Sequence, residues 1–153
     1  LAADQTRASE VPLEVDGEKF LITSVSMGNP HAVIYVAGDV DAFAVEKFGP
    51  QIENHAAFPN RVNVEFVQVV SRSRVRQRTW ERGAGETLAC GSGACAVAVA
   101  SMLRGVTDRE LCIELRGGVL EINWASSDAN VFMTGPAAEV FTGRIELKGA
   151  ERV

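Results

Sequence analysis

Hydrophobic and polar positions alternate along most of the chain, and a period of two predicts a protein built mainly from strands. Residues 11–15 and 18–26 flank Asp16-Gly17, a dipeptide favoured in two-residue hairpin turns. An apolar run at residues 31–37, entered through Asn29-Pro30, predicts the next strand. Residues 61–70 and 74–82 follow, the second with Val75, Gln77, Thr79 and Glu81 on one side. Residues 110–115 and 119–124 predict a hairpin around Gly117-Gly118, 131–134 a short strand, and 138–147 a last strand interrupted at Gly143. Two segments depart from this rhythm. Asp39 is placed to cap a helix over residues 40–48, where Val40, Phe43, Ala44 and Phe48 recur at helical spacing. Gly49-Pro50 should end it, with residues 51–57 adding another turn or two. Residues 94–103 carry no charge at all before Arg104, and Gly105 suits a C-terminal cap. A helix apolar on every side is a buried helix. The expected fold is α+β, a mainly antiparallel sheet, strongly curved or barrel-like, around one central buried helix.

Composition narrows the class. A chain of 153 residues with 46% hydrophobic and 23% charged side chains is one globular domain. No apolar run approaches the roughly 18 residues that span a bilayer, so no membrane is expected. The first ten residues lack the apolar core of a signal peptide, and the chain opens on Leu1, which reads as a start inside a longer gene product. Three cysteines, an odd number, make no disulfide framework and point to a reducing cytoplasm. The net charge of −5 and pI near 5.1 argue against nucleic acid as the partner. Arg72, Arg74, Arg76, Arg78 and Arg82 form a basic run nonetheless. Four of them share one strand face, which reads better as a solvated outer face paired with acids.

The chemistry concentrates between Trp80 and Ala96. Four glycines fall within eleven residues directly before the buried helix, with Cys90 among them. Glycine permits positive φ and close approach of backbone to ligand. A helix N-terminus offers unpaired N–H groups and about half a positive charge, a setting for a carboxylate. That setting can lower a thiol's pKa from about 8.5, which suits a cysteine exchanging protons near neutral pH. Cysteine is also a common small hydrophobe, and Cys95 inside the helix and Cys112 in a strand are read that way. No two-residue Cys spacing of a zinc or thioredoxin site is present, and no Gly-Lys-Ser/Thr of a phosphate loop follows the glycines.

The stretch from Trp80 to Ala96 resembles the second catalytic-cysteine motif of the diaminopimelate epimerase family. The resemblance extends to Ser26-Met27-Gly28-Asn29-Pro30-His31, to Phe58-Pro59-Asn60-Arg61-Val62-Asn63-Val64 and to Met133-Thr134-Gly135-Pro136-Ala137, in matching order. Ser92 stands where threonine is common. The resemblance implies a cofactor-free isomerase interconverting L,L- and meso-diaminopimelate on the way to lysine and peptidoglycan. Residues 1–136 would be the C-terminal catalytic domain, and 137–153 a segment returning to pack on an N-terminal domain. That first domain carries its own cysteine in an Asn-Gly-x-x-Cys motif, which does not occur in this sequence. The chain alone is therefore expected to be inactive, and the orphaned edge after Pro136 invites dimerisation.

By the same resemblance Cys90 is one of two acid/base cysteines and Glu81 contacts the reacting amino group. The backbone N–H groups of Gly91 and Ser92 hold the reacting carboxylate. Arg82, Asn29 and Asn63 bind the distal groups, and His31 pairs with the other cysteine across the cleft. Two further readings compete. A thiol hydrolase needs an imidazole beside Cys90, for which His31 and His55 are the candidates, or a redox enzyme a resolving cysteine. A proline racemase-like or hydroxyproline epimerase-like enzyme would share the fold.

Overall fold

The computed structural model describes residues 8–146. Strands β1 (Ala8–Val15) and β2 (Glu18–Ser26) form the first hairpin. Asp16 and Gly17 both take positive φ, 53° and 78°, as the tightest twist-matched hairpin turn requires. β3 (Pro30–Tyr35) pairs antiparallel with β2. A 3-10 turn (Val40–Ala42) and helix α1 (Val45–Glu53) then carry the chain to β4 (Asn63–Ser71), parallel to β3. β5 (Arg74–Glu81) returns antiparallel, and β6 (Gly85–Thr87) folds back on its last three residues. Helix α2 (Gly91–Leu103) leads to β7 (Glu110–Leu115), parallel to the start of β5. β8 (Gly118–Asn123) and β9 (Phe132–Thr134) extend the sheet antiparallel. The architecture is α+β and mainly antiparallel. Each of the two parallel junctions encloses a helix, as a crossover between parallel strands must.

Period two divides the sheet's side chains between the helices. Ala32, Ile34, Val64 and Phe66 pack with Val45, Phe48 and Ile52 of α1. Val33, Val67 and Val75 face the other way and pack with Ala94, Val97 and Ala98 of α2. Leu111, Ile113, Ile122 and Trp124 close on α2 as well. The helix touches β2, β3 and β4 near one end of the sheet and β7 and β8 near the other. The ladder runs β1-β2-β3-β4-β5-β7-β8-β9, an open path whose ends are not paired among the described residues, so it does not close into a barrel. No helix of the described residues is long and apolar enough to cross a membrane.

Three elements differ from the pattern's expectation. Asp39 does cap, its Oδ1 accepting from the Asp41 N–H at 3.1 Å, but it caps only the 3-10 turn. Phe43 is extended (ψ 141°), and its ring packs against Phe20, Phe48 and Phe66. The α-helix begins after it and runs straight through Gly49-Pro50 to Glu53. Gly49 is there for contact rather than for stopping: a Cβ would lie 2.6 Å from the Trp80 indole. The expected strand at 138–147 does not form within the described residues, which end at 146. Val140, Phe141 and Ile145 are each at least 84% exposed, and no strand among the described residues pairs with this segment. The second hairpin turns at Arg116-Gly117, so Gly118 already pairs with Leu115. At the end of α2, the Gly105 N–H bonds the Met102 carbonyl and the Val106 N–H that of Ser101. With Gly105 at φ 69°, that is the paired-bond glycine cap expected there.

Candidate active site

Cys90 is the residue on which α2 begins. Its backbone is extended (φ −136°, ψ 110°) and its Sγ accepts from the Gly93 N–H at 3.4 Å, so the thiol serves as the helix's N-cap. The N–H groups of Gly91 and Ser92 open the helix and have no carbonyl behind them to bond. Cys90 is 9% exposed. Its sulfur lies 3.5 Å from the Ser92 hydroxyl. The thiol is pushed above its ordinary range, first by burial. The bonds from Ser92 and Gly93 oppose this, and the charges of Glu65 and Glu81 add to it. The lowering expected of a helix N-terminus is thus overturned by burial and two nearby carboxylates.

A line of hydrogen bonds leads away from that sulfur. Ser92 Oγ accepts from Asn29 Nδ2 at 3.3 Å. Asn29 Oδ1 lies 3.0 Å from His31 Nε2, and His31 Nδ1 lies 2.8 Å from Glu65 Oε1. The His31 and Glu65 side chains are completely buried. Glu65 Oε2 accepts from Gln77 Nε2 at 2.8 Å and from Thr79 Oγ1 at 2.7 Å. These groups occupy the α2 face of β3, β4 and β5, beneath the first turn of α2. A Cβ on Gly93 would lie 2.5 Å from Glu65 Oε1, so only glycine leaves the carboxylate its place.

The other expected residues form a second group. Asn63 is buried, donates to the Pro30 carbonyl at 3.1 Å and accepts from the Arg82 backbone N–H at 3.0 Å. Its amide ties the entrance of β3 to the turn after β5. Arg82 is exposed, its guanidinium donating to the Asn60 carbonyl at 3.0 Å. Glu81 is half-buried and accepts from Thr87 Oγ1 at 2.6 Å. Glu53 anchors this turn from α1. Its carboxylate accepts from Trp80 Nε1 at 2.8 Å, the Gly83 N–H at 2.9 Å and Arg61 Nη1 at 3.3 Å. Burial works against that charge, but the three donors outweigh it and hold the carboxyl below its usual range.

Cys90, Ser92, Asn29 and His31 are therefore joined through bonds, and Glu81 acts on Cys90 through its charge. Neither imidazole bonds the Cys90 sulfur: His31 is tied to Glu65 and Asn29, and His55 Nδ1 accepts from the Ala57 N–H. A hydrolase's thiol–imidazole pair is not assembled. Four of the five arginines of the basic run are paired with acids. Arg72 binds Asp108, Arg74 binds Glu114, Arg76 binds Asp39 and Asp41, and Arg78 binds Glu86. Sequence reasoning passed over Glu65 and Glu53. Glu65 left a signal, a carboxylate inside an apolar strand two residues from Asn63 and on the same face.

The family model described as diaminopimelate epimerase matches residues 23–140. The chain belongs to the diaminopimelate epimerase family. It is 56% identical over 136 residues to the diaminopimelate epimerase of Acetivibrio thermocellus, covering 89% of this chain and 48% of that protein. It is 59% identical over 135 residues to that of Leptospira biflexa, covering 88% and 48%. The chain thus spans about half the length of these diaminopimelate epimerases. Solved structures share the fold. A probable proline racemase from Agrobacterium radiobacter K84, with bound carbonate, superposes with a TM-score of 0.56 at 14% identity, over 75% of this chain and 41% of that one. A PhzF-family phenazine biosynthesis protein from Bacillus anthracis gives 0.51 at 23% identity, over 74% and 38%.

Proposed function

We propose that this chain is the C-terminal catalytic half of a cofactor-independent diaminopimelate epimerase, with Cys90 as one of its two acid/base groups. Inverting a carbon beside a carboxylate breaks one C–H bond and makes another on the opposite face. With no electron sink, the developing negative charge must be met by oriented donors. The first-turn N–H groups of Gly91 and Ser92 would bind the reacting carboxylate. Cys90 gives its S–H proton to the carbon from one face, while a base on the other face takes the departing proton. The resulting thiolate is then reprotonated from water and the opposite base releases its extra proton to water, so protons balance. Glu81, beside Cys90, would receive the reacting amino group. Asn29 and the Arg82 guanidinium would meet the distal groups, a fork suited to a carboxylate. Asn63 contributes by holding the Arg82 backbone. Residues 137–153 would return to the first domain, which supplies the second cysteine.

The observation that carries this reading is the Cys90 sulfur at the N-terminus of a buried helix, beside two N–H groups with no partner in the helix. The test follows the exchange of substrate α-protons in D₂O. The 153-residue chain alone should show none. In a protein carrying both halves, Cys90→Ser should lower inversion by about 10³-fold or more, because a hydroxyl is a far weaker acid than a thiol. Near-normal inversion by that variant removes Cys90 from the mechanism.

A further inference from the structure

We propose that Thr87 is a positioning residue that sets the Glu81 carboxylate in its working place, so that strand β6 ties Glu81 to Cys90. The proposal rests on the reading of Glu81 as the group that meets the reacting amino group. Thr87 Oγ1 donates to Glu81 Oε1 at 2.6 Å. The direction of this bond is fixed, because a carboxylate only accepts. Glu81 ends β5, and the chain turns away at Gly83, with φ 78°. Its side chain is half-buried and rich in rotamers, so an unheld carboxylate there would spread over several positions. Among the described residues, the Thr87 hydroxyl is the one side-chain partner of that carboxylate. One oxygen is thereby occupied, and the other, Oε2, is left open to a substrate ammonium group.

Thr87 can serve as a brace because the chain on either side of it is held. In the β5–β6 ladder it stands opposite Thr79, with Glu81 as the diagonal neighbour on the same face. Glu86 before it points to the other face and forms a fork with Arg78 at 2.7 and 2.8 Å. The Leu88 carbonyl after it accepts from the Gly117 N–H at 2.7 Å. The β-branched side chain of Thr87 is itself stiff. Cys90 follows closely and opens α2, so one short segment fixes both the sulfur and the hydroxyl that holds Glu81. The charge of Glu81 already acts on the Cys90 thiol. Placement of this kind governs rate more than affinity, since a shift of about 1 Å in a reacting group can cost about 100-fold. The substrate's carboxylates would still find the first turn of α2, Arg82 and Asn29, so binding should change little.

The experiment measures epimerisation of diaminopimelate by a protein carrying both halves, with circular dichroism confirming the fold of each variant. Thr87→Val keeps the shape of the side chain and removes the donor. It should lower kcat by about 10-fold or more and leave KM within about twofold of the parent. Thr87→Ser returns a hydroxyl on a freer side chain and should recover kcat to within about threefold. In a Glu81→Ala background, Thr87→Val should cost less than about twofold further, because the group it positions is already gone. An unchanged kcat in Thr87→Val, a loss that appears in KM alone, or a loss that serine does not recover overturns the proposal. So does an equal loss in the Glu81→Ala background, which would place the effect of Thr87 in the fold. Thr87→Ala decides the question should Thr87→Val fail to fold. A Glu81→Ala enzyme with parent turnover removes the reading of Glu81 and this proposal with it. Lost turnover in Glu81→Ala beside a normal Thr87→Val enzyme sinks the role of Thr87 alone.

Discussion

At Cys90, burial and the first-turn donors of α2 act in opposite directions, and burial is the larger. The residue's place was legible, because glycines before an uncharged run announce a helix opening beside a thiol. The sign of its pKa shift was not. Pattern displays the helix terminus but not the carboxylates of buried Glu65 and half-buried Glu81 whose charges act on it. Asn63 follows the same logic: its rarity in a strand marked it as special, but its partners, Pro30 and Arg82, emerge only from the parallel register of β3 and β4. Cys90 is accordingly expected to remain a thiol at pH 7 and to alkylate slowly there. Its rate should climb only above the range of an ordinary thiol, about 8.5. The linkage sign follows. A folded-state pKa raised above the unfolded value gives stability that is complete below the unfolded pKa and lost as pH rises through the folded one. An alkylation midpoint below that of a thiol in the urea-unfolded chain would contradict this.

Among the elements, most strands were legible from the pattern, but β6 was not expected, the strand expected at 138–147 does not form within the described residues, and the region of residues 40–53 was misread. There the helical spacing was real, but an extended Phe43 splits it, and packing of Gly49 on Trp80 carries the helix past a proline. Tertiary contact outweighs local propensity, most visibly where Arg78 reaches across from β5. Its guanidinium donates to the carbonyls of Asp41 and Phe43 at 3.1 and 2.8 Å, fixing that split turn against the sheet. It also forms a fork with Glu86 at 2.7 and 2.8 Å, both side chains only about a tenth exposed. The bond from Arg78 is the main reason the Glu86 carboxyl lies below its usual range, with Arg116 assisting against burial. A lowered folded-state pKa gives stability that is present above the unfolded value, about 4.3, and lost as pH falls through the folded one. Glu86→Gln leaves a largely buried guanidinium without its carboxylate and should cost on the order of 3 kcal/mol at pH 7. That difference should shrink towards zero in acid, where the parent side chain is neutral too. Urea unfolding of both proteins at pH 7 and pH 3 measures it, and a pH-independent gap would mean the pair is not its source.

For the molecule as a whole, the order of elements was readable, but which part of the chain the fold leaves unsupported shows only in three dimensions. Both crossovers return to the sheet, and both helices are buried against it, so residues through Thr134 belong to one packed body. Gly135 still touches Leu120, where a Cβ would come within 2.5 Å of its side chain. Beyond it the apolar residues Val140, Phe141 and Ile145 lie open to solvent, although the pattern of residues 138–147 suggests a strand. A strand needs a neighbour to satisfy its backbone, and alternation carries no information on whether one is present. Side chains that bury almost nothing contribute almost nothing to the stability of this chain. Ending the chain after Ala137 should therefore shift its Tm by less than about 2 °C, less than the effect of 1 kcal/mol on a domain this size. In a protein carrying both halves, the proposed docking of residues 137–153 predicts the reverse, a fall of several degrees for the same truncation. Calorimetry on the two pairs separates these outcomes. A large loss in the short pair would mean the tail packs on this half, and no loss in the long pair would remove the proposed return to the first domain.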